Sequence, residues 1–303
     1  MRADAVRRFL FEHHPIRGHW VRLERAWQDL RAHQHYPPPV RALLGEATGA
    51  AALLASALKF DGLLTLQMQG SGAVGLLVAQ CTQDFRLRSV ARFDAAAVSE
   101  DFRDLAGTGH LTVTVESAAQ ARYQGIVSIL GDSLSACLES YFASSEQLPT
   151  VVRLAADAGH AAGLLLQKVA GEGGRGAADR ALTSLEGPAT EEVWRRAVRA
   201  VGGLGAGPLL KLDAEALLRR SLPEEDLRLF KGAAVRFECR CSERRVEGIL
   251  RSLGAEESRS ILAEQGAVTV TCEFCQRPYT FDAVDIERLF AAGLASERPQ
   301  RLN

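Results

Sequence analysis

Lysine is nearly absent from this chain. Of its 36 basic residues only Lys59, Lys168, Lys211 and Lys231 are lysines, and the rest are arginines, a skew that follows genomic base composition as readily as any phosphate-binding task. Net charge is almost absent too, at -1 with a pI near 6.7. That removes the whole-chain electrostatic argument for nucleic-acid binding. No long hydrophobic run occurs: the longest, Ala50 to Leu58, is broken by Ser56 and falls far short of the ~20 residues that cross a bilayer. The stretch from Met1 to Glu12 lacks the apolar core and small-residue cleavage site of a secretory signal. These absences lead to the expectation of a cytoplasmic protein with no membrane partner. In that compartment thiols stay reduced, so clustered cysteines point to metal or redox chemistry.

Catalytic signatures are missing as well. There is no P-loop, no H-E-x-x-H and no G-x-S-x-G elbow around Ser133 or Ser135. Gly70-Ser-Gly-Ala-Val-Gly75 does match G-x-G-x-x-G, but a dinucleotide site needs a helix to start there. The residues after it alternate like a strand, so a hairpin turn is expected. His13, His14, His19, His33 and His35 crowd the N-terminus without ligand spacing and read as solvated or helix-surface residues. Cys81 and Cys137 lie on apolar patterns and read as buried structural thiols. No catalytic residue is assigned, and the protein is not expected to be an enzyme.

The chain does have an ordinary globular balance, 47% hydrophobic and 24% charged over 303 residues. Leu64, Leu66 and Met68 alternate with polar residues, Val74, Leu76 and Val78 resume the alternation, and further strands are expected at 111–115, 124–130, 151–154 and 164–169. Helices are expected from Ala42 to Lys59 and from an Asp132 or Ser133 cap through Phe142. The fold class is therefore α+β, with three parts: an N-terminal mixed sheet-and-helix domain over 1–180, a short-helix linker over 181–233, and a small metal-binding module over 234–303. Dense glycine from Gly171 to Gly176 marks the first break. The linker, with a helix at 191–201 and another capped by Asp213, must lean on a neighbour to stay folded. In the last module Val246, Ile249, Leu250 and Leu253 line one helix face that Gly254 can end, and Asp282 can cap a final helix.

Cys239-Arg-Cys241 and Cys272-Glu-Phe-Cys275 carry the chemistry. Four thiolates satisfy tetrahedral zinc and leave no position for water. Residues two apart on an extended segment point to one side, so C-x-C reaches the same ion as the C-x-x-C knuckle. About 65 residues with little apolar material make a poor core, and the metal supplies what the core lacks. Oxidising the thiolates removes the ligands. Local disulfides within each pair are geometrically possible, yet loops that short constrain the chain too little to replace the metal.

Several blocks resemble the heat shock protein 33 family of redox-regulated chaperones. They are Phe237-Glu-Cys-Arg-Cys-Ser-Glu-Arg-Arg245, Cys272-Glu-Phe-Cys275 with Tyr279-Thr-Phe281, Arg122-Tyr-Gln-Gly-Ile-Val127, Gly131 to Phe142, Ser145-Glu-Gln-Leu-Pro149 and Arg17-Gly18. The resemblance implies an inactive reduced form with one Zn(2+) per chain on Cys239, Cys241, Cys272 and Cys275. It implies that oxidation joins Cys239 to Cys241 and Cys272 to Cys275, with zinc release, unfolding of the C-terminal half and homodimerisation. The activated protein is then expected to hold unfolding client proteins without ATP. A zinc-ribbon protein binding nucleic acid is the competing function. From Ala234 to Asn303 there are ten Arg, no Lys and eleven Asp plus Glu, which lacks the clustered positive charge a phosphate-tracking face needs. A zinc hydrolase or deaminase is disfavoured by the closed ligand set and the missing H-x-E motif.

Overall fold

The first two strands are ones that the hydrophobic pattern does not announce. β1 (Ala5–Phe11) and β2 (Ile16–Leu23) pair antiparallel with Phe9 opposite Gly18. A Cβ on Gly18 would lie 2.0 Å from the Phe9 ring, so glycine is required for the ring to cover its neighbour strand. The computed structural model describes residues 4–117, 122–169 and 187–296. The expected glycine break at 171–176 and the boundary at 180/181 lie outside them.

After β2 come α1 (Arg25–Arg31) and α2 (Pro38–Ala57), then β3 (Gly62–Gly70), β4 (Val74–Thr82), β5 (Arg86–Phe93) and α3 (Phe102–Ala106). β6 (Gly109–Ser117), β7 (Tyr123–Ser128), α4 (Leu134–Tyr141), β8 (Thr150–Ala156) and β9 (Ala161–Lys168) come next. Helices α5 (Pro188–Gly202), α6 (Ala206–Lys211) and α7 (Ala214–Ser221) precede the short strands β10 (Leu227–Leu229), β11 (Ala233–Ala234) and β12 (Arg236–Phe237). All of these belong to one compact unit, Met1–Glu238; Cys239–Asn303 forms a second. The first unit holds two sheets, ordered β10-β1-β2-β9-β8 and β12-β5-β4-β3-β6-β7, with β11 also on β1. The architecture is α+β, as the sequence pattern implied.

α2 runs between the two sheets, packing on β2, β8 and β9 of one and β3, β4 and β5 of the other. It starts at Pro38, where a missing N–H costs nothing, and ends at Ala57, slightly earlier at both ends than the pattern suggested. By length and composition α2 could cross a membrane, but 72% of its apolar window is buried in the fold. Small residues permit that close approach: a Cβ on Gly45 would meet Ala156 at 2.4 Å. Ser133, with its hydroxyl accepting the Ala136 N–H, caps α4. A single π-helical turn, Phe142–Glu146, extends it.

The far face of the first sheet presents Phe9, Phe11, Ile16, Trp20, Leu164 and Leu166, and α5, α6 and α7 cover it with Val193, Ala197, Val201, Leu209, Leu217 and Leu218. Covered on both faces, β9 is buried from Ala161 to Gln167. Polar ties fix the helices: Arg153 Nε donates to the Gly202 carbonyl at 3.1 Å and Arg22 Nε to the Leu210 carbonyl at 2.7 Å. Asp213 caps α7 through the Ala216 N–H.

The G-x-G-x-x-G stretch is the β3–β4 hairpin turn. Its N–H groups already have acceptors: Ser71 donates to Thr108, Gly72 to Ala106 and Ala73 to Asp104. None of these three is left to cradle a phosphate. Cys81 and Cys137 are buried, as their apolar settings implied. His19 departs from the expectation of a solvated histidine. It sits on β2, 2% exposed, with Nδ1 2.7 Å from Ser56 Oγ of α2.

Two groups in this layer give opposite pH dependences. Burial, helped by Arg17 and Arg8, lowers His19 from 6.5 to about 3. Burial raises the Glu46 carboxyl on α2 from 4.5 to about 7. Unfolded His19 takes a proton that the folded form refuses, so stability falls as pH drops from 6.5 to 3. Folded Glu46 keeps a proton that the unfolded chain releases, so stability falls as pH rises from 4.5 to 7. Between 4.5 and 6.5 the two slopes offset. Glu46→Gln is expected to expose the histidine term, losing up to ~1.4 kcal/mol per pH unit on acidification across that window. His19→Gln is expected to reverse the slope. Urea unfolding midpoints against pH check both, and parallel curves for wild type and variants would contradict the assignment.

Candidate metal centre

The second unit is built from α8 (Glu243–Leu253), α9 (Ala255–Gln265), a hairpin of β13 (Val268–Thr271) and β14 (Pro278–Phe281), and α10 (Ala283–Ser296). Ser242 caps α8 through the Arg245 N–H, and Gly254, at φ +101°, ends it. Asp282 and Asp285 cap α10 reciprocally, the Asp285 N–H donating to Asp282 at 2.9 Å and the Asp282 N–H to Asp285 at 3.3 Å. Among the described residues the buried core is Val246, Leu250, Val268, Tyr279, Phe281, Ile286 and Leu289, with Ile261, Leu262, Val270 and Phe290 packed against it. Ile249 and Leu253, expected on the buried face of α8, are instead 59% and 47% exposed. So small a core covers only part of the apolar stripe of α8.

The four cysteines meet at one place. Cys272-Glu-Phe-Cys275 makes a knuckle after β13, closed by the Gln276 N–H donating to the Cys272 carbonyl at 2.8 Å. Gln276 takes the left-handed conformation, φ +55°, that the turn requires. The Cys272 N–H donates to the Arg277 carbonyl at 3.0 Å. Cys239 and Cys241 lie on the non-helical stretch before α8. All four Sγ atoms fall within 4.8 Å of one another, and none forms a disulfide. The contacts at 3.7 Å (Cys239–Cys272) and 3.5 Å (Cys241–Cys275) join one half-site to the other.

A tetrahedron of sulfurs placed ~2.3 Å from a central ion has edges of about 3.8 Å, so this donor set fits a four-coordinate ion and leaves no open position. Burial pushes the Cys239 and Cys275 thiols up. Burial acts on Cys241 in the same direction, but hydrogen bonds from Tyr279 and the neighbouring sulfurs outweigh it and bring the thiol down to about 7. In the sequence Tyr279 stood out only as part of the block Tyr279-Thr-Phe281. Its hydroxyl lies 3.1 Å from Cys241 Sγ.

The chain thus pairs a mixed sheet-and-helix unit with a small module in which four thiols converge as a candidate metal site. The model of the Hsp33 protein family matches residues 4–282. The 33 kDa chaperonin of Pseudomonas paraeruginosa is 44% identical over 301 residues, covering 98% of this chain and 97% of that one. The 33 kDa chaperonin of Azotobacter vinelandii is 42% identical over 293 residues, covering 96% and 95%. Among solved structures, the 33 kDa chaperonin (heat shock protein 33 homolog) of Thermotoga maritima superposes with a TM-score of 0.79 at 21% identity, over 96% of this chain and 99% of that one. The chain belongs to the Hsp33 family.

Removing one donor, Cys275→Ser, is expected to weaken metal binding by roughly 100-fold or more, exceeding the effect of typical outer-shell changes. Competition with a chromogenic chelator measures it. Undiminished affinity would show that Cys275 is not a ligand.

Proposed function

We propose that this protein is a redox-regulated, ATP-independent holdase chaperone of the cytoplasm, and that Cys239, Cys241, Cys272 and Cys275 are its zinc ligands. One Zn(2+) per chain is held in the reduced, inactive state. The observation that carries this reading is the convergence of four sulfurs within 4.8 Å in a unit whose buried core, among the described residues, is seven side chains. Bound there, zinc supplies folding free energy on the order of 10 kcal/mol.

Oxidation joins Cys239 to Cys241 and Cys272 to Cys275, and the ligand set is lost with it. Residues 234–303 then unfold, and the linker, 181–233, loosens from the domain formed by 1–180. Support for the last step comes from the first sheet, whose face beneath α5, α6 and α7 presents Phe9, Phe11, Ile16, Trp20, Leu164 and Leu166 between the polar ties of Arg22 and Arg153. Such a face, once uncovered, is a surface on which unfolding chains are held. The oxidised protein works as a homodimer on unfolded clients, binds neither nucleic acid nor membrane, and performs no catalysis.

Peroxide applied to the reduced protein at mildly unfolding temperature is expected to release zinc, lower helicity and suppress aggregation of a heat-unfolding test enzyme together. Zinc release without suppression would defeat the holdase reading. Zinc retained throughout would defeat the switch.

A further inference from the structure

Tyr279 ties the cysteine cluster to the small core beside it. This residue is on β14, opposite Val270 of β13, and 8% exposed in the centre of that core. Its hydroxyl donates to Cys241 Sγ at 3.1 Å. The Arg277 guanidinium stands 5.4 Å from the centre of the Tyr279 ring. A cation over the ring draws electron density from it and makes the O–H a stronger donor. The Arg277 backbone meanwhile accepts the Cys272 N–H, so one short segment, Arg277-Pro-Tyr279, braces a cysteine from each half of the site.

Donation to a thiolate occupies a lone pair and lowers the nucleophilicity of the sulfur. It also orients the remaining pairs, as outer-shell partners do for metal ligands generally. We propose that Tyr279 is a positioning residue that holds Cys241 for the metal and sets how readily the site is oxidised. The proposal rests on the redox-switch reading and names what tunes it. The step concerned is attack of the Cys241 thiolate on hydrogen peroxide: an S–O bond forms, the O–O bond breaks, and hydroxide leaves with the electron pair. A second cysteine thiolate then displaces hydroxide from that sulfur to give the disulfide. The two sulfurs are oxidised and the peroxide is reduced. Withdrawing the Tyr279 donor speeds the first attack.

The link also carries the event into the fold. Once Cys241 no longer presents a thiolate, the Tyr279 hydroxyl loses its acceptor, and the bond that joins the sulfur to a core residue is lost with it. The core of the unit thus registers the state of a sulfur through one hydroxyl.

Tyr279→Phe in the full chain keeps the ring and deletes the donor. With Co(II) loaded in place of zinc, the sulfur-to-metal charge-transfer band of this variant is expected to shift while the ligand-field bands stay tetrahedral. Metal release from the zinc form under a fixed peroxide dose, measured with a chromogenic chelator, is expected to be about 3- to 10-fold faster, in keeping with outer-shell effects. Val268→Ala trims the same core without touching the hydroxyl and is expected to leave the band in place. Incorporation of 3-fluorotyrosine, a stronger donor of nearly the same shape, is expected to move the band the opposite way and slow release, and it serves if Tyr279→Phe does not fold. An unmoved band in Tyr279→Phe or in the fluorotyrosine protein overturns the proposal, as does equal acceleration by Val268→Ala. The band is read before any oxidant is added. Failure of wild type to release zinc therefore defeats the switch separately, and the proposed control of oxidation with it.

Discussion

Thiolates ~3.5 Å apart repel one another by about 5 kcal/mol at an effective dielectric constant of about 20. Four sulfurs gathered within 4.8 Å cannot all carry charge unless a cation sits among them. The second unit is organised around that constraint. Left to themselves the thiols divide unequally, Cys241 falling to about 7 while burial keeps Cys239 and Cys275 up. A metal ion removes the repulsion, and the knuckle at Cys272 and the stretch at Cys239 then have a reason to approach. The elements between them, α8 and α9, pack on the small core through Val246, Leu250, Ile261 and Leu262, and Arg259 of α9 pairs with Glu287 of α10.

The first unit rests on a different kind of contact. α2 is buried by a sheet on each side, and β9 by helices on each side of its own sheet. Close packing of this kind tolerates few side-chain volumes, which is why Gly18 and Gly45 stand where a methyl group would collide. Helices α5 and α7 carry apolar faces that need the first sheet, and the Gly202 and Leu210 carbonyls, at the ends of α5 and α6, are tied to it by Arg153 and Arg22.

The convergence of the four cysteines and the β3–β4 hairpin were legible in the sequence for the same reason. Each imposes a fixed spacing, C-x-C and C-x-x-C for a tetrahedral ion and period two for a sheet covered on one side. β2 was not legible. Ile16, Gly18, His19, Trp20 and Val21 are all buried, so alternation disappears and the glycine and histidine read as breaks. The burial of His19 depends on Ser56, 37 residues away. Ile249 and Leu253 show the opposite failure, a helical period faithfully present in a unit with too little core to use it. Tyr279 and Cys241 lie 38 residues apart, and nothing local announces a hydrogen bond between a strand phenol and a sulfur. The one available hint was an aromatic residue four positions beyond the knuckle.

The placement of tryptophan has an optical consequence. Trp20 lies within the contact between the first sheet and its covering helices, Trp194 packs against that contact from α5, and Trp27 is sealed on the other face. These are the only three in the chain, and none falls between Cys239 and Asn303. Intrinsic emission therefore reports the seating of α5 on the sheet, with two fluorophores at the contact and one as an internal reference. The thiol unit contributes only the weak fluorescence of Tyr279 and stays dark at red-edge excitation. Light from the protein itself thus separates loosening of the sheet cover from events at the sulfurs, with no label attached.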